Sequence, residues 1–125
     1  MPESQFEARA VQKHLRKSAR KVRLVADFVR GKNVAKALKE LEFVNKAAAP
    51  LVAKVIKSAA ANVRDKYQDE QRLEPEDLYI KEIYVNEGAT LKRIQPAAMG
   101  RANQIRKRTC HVNVVVANQV EAVNQ

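Results

Sequence analysis

The sequence has no tryptophan, a single cysteine and only three glycines, and each shortage removes a class of protein. With Cys110 alone, no intrachain disulfide can form and a zinc site of the usual two-cysteine kind is excluded, which fits a reducing, cytoplasmic setting. Gly31, Gly88 and Gly100 lie too far apart to make a phosphate-cradling glycine-rich loop. No apolar run approaches the roughly 18 to 20 residues of a membrane span. The opening "MPESQFEARA" has no apolar signal-peptide core, so the chain is expected to stay in the compartment where it is made. Aromatics are 5% of the 125 residues, and much of the 46% apolar share is alanine and valine. That composition predicts one small, tightly packed domain.

Negative charge is missing from two long stretches. Between Glu7 and Asp27 there is no acid, while Arg9, Lys13, Arg16, Lys17, Arg20, Lys21 and Arg23 all fall there. From Gly88 to Val120 there is again none, and Lys92, Arg93, Arg101, Arg106, Lys107 and Arg108 lie inside that region. The middle, Ala37 to Glu87, is roughly balanced and holds an acidic run, "DEQRLEPEDL". One basic run alone reads as a solvated face. Two of them flanking a balanced middle, with a net charge of +10 and a pI near 10.0, point to an extended polyanion, and nucleic acid is the leading partner. An anionic membrane surface would call for a basic helix with a bulky apolar face, or a lipidation signal. The sequence offers neither, so no membrane partner is expected.

The pattern of apolar residues predicts an α+β fold. Gln5 to Leu15 has no helical stripe and reads as an edge strand. Ser18 as N-cap and Gly31 just past the end frame a helix from about Ala19 to Arg30, with Val22, Val25 and Val29 on its buried side and Leu24 and Phe28 widening the stripe. Arg16, Arg20, Lys21 and Arg23 crowd the entrance to this helix and its first turns. Positive charge there opposes the macrodipole, an arrangement that makes sense beside phosphate. Asn33 caps a second helix ending near Phe43, with Val34, Leu38 and Leu41 buried. Asn45 is placed to cap a third, whose broad face holds Leu51, Val52, Val55, Ile56, Ala59 and Val63. Pro50 either sits in its first turn or kinks it. "LYIKEIYV" (Leu78 to Val85) and "CHVNVVVA" (Cys110 to Ala117) read as strands, the latter with Val112, Val114 and Val116 on one face.

Between those strands, Pro96 and Gly100 bracket a turn, and the flanking arms pair as an antiparallel hairpin. At about ten residues per arm it would reach on the order of 30 Å from the body. A two-stranded hairpin is marginal in water, and Leu91, Ile94, Met99 and Ile105 cannot make a core. The arm is therefore expected to be largely unordered until phosphates meet its cations. Residues 1–87 and 109–125 form the expected body, and 88–108 the arm.

No catalytic constellation emerges. Cys110 and His111 are neighbours on a strand and point to opposite faces, so they cannot work as nucleophile and base. His14 stands among cations, and the carboxylates of "EPED" read as a surface linker. No enzyme, metal or cofactor is expected.

Three segments, "SARKVRLVADFVRGKNVAKALKEL", "NKAAAPLVAKVIKSAAANV" and "YVNEGATLKRIQPAAMGRANQIRKRTCHVNVVV", closely resemble the large-subunit ribosomal protein twenty-two family in its short bacterial form. The likeness runs from about Arg9 to Ala117. It implies three helices packed on a small antiparallel sheet, with a long protruding β-hairpin. It also implies binding to large-subunit ribosomal RNA and support of early subunit assembly, with the hairpin lining the tunnel through which the nascent polypeptide leaves. The tip would face large-subunit protein four at a constriction where stalling and macrolide resistance are affected. On matching positions, Leu91, Lys92 and Arg93 begin the part where resistance changes cluster in relatives, and Pro96, Ala97, Ala98, Met99, Gly100 and Arg101 form the tip. Many relatives are basic where this chain has Ala97 and Met99, so the tip here is less positive. "VEAVNQ" at the C-terminus lies beyond the likeness.

Two other classes compete with a structural ribosomal protein. A free-standing nucleic-acid-binding regulator would read a groove with the Ser18 to Arg30 helix and would have no need of a long basic hairpin. A partner-binding scaffold using the alanine-rich helix would bind with little salt dependence.

Overall fold

A computed structural model of the chain describes residues 6–70, 72–96, 100 and 102–118. Along the sequence run β1 (Glu7–Leu15), α1 (Ala19–Val29), α2 (Val34–Leu41), α3 (Ala49–Lys66), a short 3₁₀ turn (Pro75–Asp77), β2 (Leu78–Glu87), β3 (Leu91–Pro96), β4 (Ala102–Lys107) and β5 (Cys110–Asn118). The sheet of the body is antiparallel in the order β1-β5-β2, and the three helices pack on it. β3 and β4 pair with each other as a separate two-stranded sheet. The fold is α+β with a β-hairpin, as the sequence predicted.

The central strand carries the core. In β5, Cys110, Val112, Val114 and Val116 are fully buried, and Val115 and Ala117 are buried on the opposite side of the strand. On the helical side these residues meet Val22, Val25 and Val29 of α1 and Val52, Ile56, Ala59 and Val63 of α3 in one cluster.

Both outer strands carry a bulge that corrects their phase. In β2, Ile80 pairs with Val116 but Glu82 pairs with Val115, so Lys81 is an extra residue. Without it Ile80 and Ile83 would face opposite sides; with it both are buried. In β1, Gln12 pairs with Val112 and Leu15 with Cys110, again leaving one residue over, and His14 takes a positive φ of 57° there. The bulge brings both Ala10 and Leu15 into the core despite their odd spacing.

β1 is the edge strand expected, and α3 guards it. Asn62 Nδ2 donates to the Arg9 carbonyl at 2.9 Å, so a backbone acceptor that would invite another strand is occupied. Lys81 Nζ reaches Glu7 at 2.7 Å and so ties β2 to β1 across the sheet; the Glu7 hydrogen bond raises the Lys81 pKa.

Several details depart from the sequence reading. Leu24 and Phe28 do not widen the buried stripe of α1, being 58% and 42% exposed. Ala19 and Ala26 fill that role, because at 100° per residue Ala26 lies beside Val22 and Val29 whereas Leu24 has turned away. Asn45 does not cap α3; Ala48 stands at its N-cap and Pro50 in its first turn. A helix capped at Asn45 would have carried Pro50 into its second turn, where the ring collides with a carbonyl. Starting later leaves the proline where no backbone donor is needed, and the kink is avoided. The acidic linker also carries ion pairs: the Glu74 carboxylate accepts from Arg72 at 2.7 Å and Arg64 at 2.8 Å. The Arg72 hydrogen bond, aided by Arg64, holds its pKa below the ordinary carboxylate value.

Candidate nucleic-acid interface

The first turn of α1 is the geometric centre of the site. Ser18 occupies the N-cap in an extended conformation as predicted, yet its hydroxyl makes no capping bond, and no acidic residue lies in the first turn. The helix's own first turn therefore supplies no counter-charge to the positive end of its dipole. Around it lies a cleft of about 720 Å³ lined by Arg16, Lys17, Lys21, Lys46, Lys107 and Arg108, with Ser18 and Leu24 among the remaining lining residues and no carboxylate. Three separated pieces of chain supply these cations: the β1–α1 connection with the first turn of α1, the α2–α3 turn, and the end of the hairpin. A second hollow of about 360 Å³, lined by Ser18, Ala19, Arg20, Glu87, Gly88, Thr90, Arg108 and Thr109, adjoins the same helix end. Like charges gathered in this way repel one another, and a phosphate backbone entering the cleft would relieve that repulsion.

The neck of the hairpin is fixed to the body beside this cleft. Gly88 N–H donates to the Thr109 carbonyl at 2.9 Å, and the buried Thr109 hydroxyl donates to the Ala89 carbonyl at 2.5 Å. Beyond the neck, β3 and β4 pair over six residues each, with Lys92 opposite Arg106, Arg93 opposite Ile105 and Leu91 opposite Lys107. The arms pair as the antiparallel hairpin the sequence predicted, over six residues a side where about ten were expected. Residues 88–90 and 108–109 form the neck instead of extending the ladder. Pro96 opposes Ala102, and Gly100 has the positive φ of 73° that a tight turn asks of glycine. Ala97, Ala98, Met99 and Arg101 lie outside the described residues.

The remaining cations named from the sequence fall into different places. Arg20 lines the second hollow. Arg9 and Lys13 are exposed on β1 and line neither hollow. Arg23 has a structural engagement that the sequence did not reveal: its Nε and Nη2 donate to the Val85 carbonyl at 3.2 and 2.9 Å and hold α1 to β2. Arg30 repeats the device on the next strand carbonyl but one, donating to Ile83 O at 2.8 Å. Lys46 is the cation that sequence reasoning missed. It lies in the balanced middle of the chain, and only the fold carries it to the two basic segments.

Two histidines also meet. The β1 bulge sets the His14 ring edge-on to His111, with centroids 5.1 Å apart, and the His14 backbone N–H donates to His111 Nδ1 at 3.1 Å. His14 is thus not isolated among cations. Cys110 is buried on the core side of β5, where desolvation raises the thiol pKa and keeps it protonated at neutral pH.

The chain is 51% identical to the large ribosomal subunit protein uL22 of Desulfitobacterium hafniense strain Y51, over 92% of this chain and 97% of that protein. It is 52% identical to the protein of the same name from Lactobacillus delbrueckii subsp. bulgaricus, over 94% and 97% of the two chains. For the one from Staphylococcus aureus strain JH9 the identity is 45% over 96% and 99%. The fold and these likenesses define the class: a structural constituent of the large ribosomal subunit and not an enzyme, working in the cytoplasm with ribosomal RNA and other ribosomal proteins. Within that class the chain belongs to the family described as ribosomal protein L22p/L17e, whose pattern matches residues 10–117.

Proposed function

We propose that the chain binds large-subunit ribosomal RNA by gripping phosphates in the cleft at the start of α1, and that its hairpin continues the contact as an arm lining the nascent-polypeptide tunnel. The observation that carries this reading is the convergence of Arg16, Lys17, Lys21, Lys46, Lys107 and Arg108, without a carboxylate, on one cleft beside an uncapped helix N-terminus. Arg20 extends the cleft, Arg9 and Lys13 add a second basic line along the edge strand, and Arg23 contributes by fixing α1. On the arm, Lys92, Arg93, Arg101 and Arg106 meet RNA on the way to the tip. Recognition is by phosphate position and RNA shape. By holding RNA segments on the body and along the arm at once, the protein supports early subunit assembly.

The tip, Pro96 to Arg101, faces the nascent chain and large-subunit protein four, while Leu91, Lys92 and Arg93 stand at the base of the arm, Leu91 opposite Lys107. Family membership supports this placement, and an arm that pairs only with itself is suited to it. Photo-crosslinking in assembled ribosomes tests the whole arrangement. A crosslinker at Lys21 or Lys46 is expected to capture ribosomal RNA, and one at Met99 to capture a stalled nascent chain. Capture of RNA from neither body position, or of no nascent chain from the tip, would overturn the corresponding half of the proposal.

A further inference from the structure

The chain has three phenylalanines, and two of them are accounted for. Phe6 is buried, with its ring centroid 4.6 Å from that of Tyr67. Phe28 is covered by Lys32, whose Nζ lies 3.7 Å from the ring centroid. Phe43 is different: it is 86% exposed, on the turn between α2 and α3. That turn is built, not loose. Phe43 N–H donates to Glu40 O at 3.1 Å, Val44 N–H to Leu41 O at 3.3 Å, Lys46 N–H to Val44 O at 3.0 Å and Ala49 N–H to Lys46 O at 3.1 Å. The backbone thus holds a bare aromatic ring outward in a fixed place.

Its surroundings favour one kind of occupant. Lys46, three residues on, lines the basic cleft at the start of α1 and also a groove of about 690 Å³ between α2 and α3. That groove carries Lys54 and Lys57 as well, against Glu42 as its only carboxylate. Cleft and groove thus share Lys46, and the groove is lined by Glu42 and Val44 on either side of Phe43 in the chain, although the ring itself lines neither. A ring with an open π-face beside phosphate-binding cations is the arrangement on which unpaired bases stack.

We infer that Phe43 is a stacking platform for one unpaired nucleobase of ribosomal RNA, with Lys46, Lys54 and Lys57 holding the adjoining phosphates. The inference rests on the proposed RNA-binding function and adds to it a contact that phosphate attraction alone would not require. Because the ring is exposed, Phe43→Leu and Phe43→Tyr should fold like the wild type.

The test measures affinity of the full chain and both variants for a transcript of the large-subunit ribosomal RNA at fixed salt, with ultraviolet crosslinking and mapping of the crosslinked peptide. Tyrosine should keep wild-type affinity and leucine should weaken it by about 5- to 150-fold, the range for one base stacked on an aromatic ring. The crosslink should map to the peptide holding residue 43 and disappear in the leucine variant. If leucine binds as tightly as phenylalanine while Lys21→Ala still weakens binding, the stacking site is wrong and the phosphate-binding reading stands. If the wild type does not bind the transcript at all, both fall.

Discussion

Gly88 is where a single methyl group would do most harm. A Cβ there would lie 2.6 Å from Thr109 Oγ1 and 3.2 Å from His111 Nε2, and Thr109 cannot yield without giving up its bond to Ala89. Gly88→Ala is expected to cost about 1–3 kcal/mol, the usual penalty for overpacking a closed site. A urea titration checks it; an unchanged midpoint would mean the neck is looser than described. Gly31 is needed for another reason. Its φ of 81° turns the chain out of α1 so that its N–H can reach the Ile80 carbonyl at 3.1 Å, with nothing crowding the Cβ position. At this scale the sequence was partly legible. Gly31 could be read as a helix stop because helix ends favour that conformation. The importance of Gly88 could not, because it depends on Thr109 and His111 arriving from another strand. The bond from Arg23 to the Val85 carbonyl was hidden for the same reason: nothing near Arg23 in sequence announces that acceptor.

Among the elements, helices and strands followed from periodicity wherever a face was buried against a single layer. α1, α2 and β5 came out within a residue or two of expectation, and the start of α3 was misplaced because Asn45 is a good cap in isolation while Pro50 decides where the helix can begin. The bulges in β1 and β2 were invisible, since an extra residue is recognised only against the partner strand. The hairpin behaves as an element of its own: β3 and β4 pair with each other, and the body sheet closes without them. Replacing residues 91–107 by a short glycine linker should therefore leave the stability of the body within about 1 kcal/mol, as for a surface segment remote from the core. Calorimetry on the shortened chain is the check. A large fall in Tm would show that the arm belongs to the folding unit, contrary to a body formed by residues 1–87 and 109–125.

Across the whole molecule, two acid-free basic stretches were legible as charge, and their sum pointed to a polyanion before any fold was known. What charge counting could not supply was convergence. Lys17 and Lys107 are ninety residues apart in the chain and line one cleft, together with Lys46, which no charge map singles out. The account's central claim is that this cleft binds RNA phosphates, and the salt dependence of binding tests it most directly. Affinity for the large-subunit ribosomal RNA should fall steeply as salt is raised, each neutralised phosphate adding about 0.7 to 0.9 to the slope of log K against log salt. Replacing Lys21, Lys46 and Arg108 together by alanine should weaken binding and reduce that slope by about two to three. A wild-type affinity that is flat with salt, or a triple variant with an unchanged slope, would contradict the account.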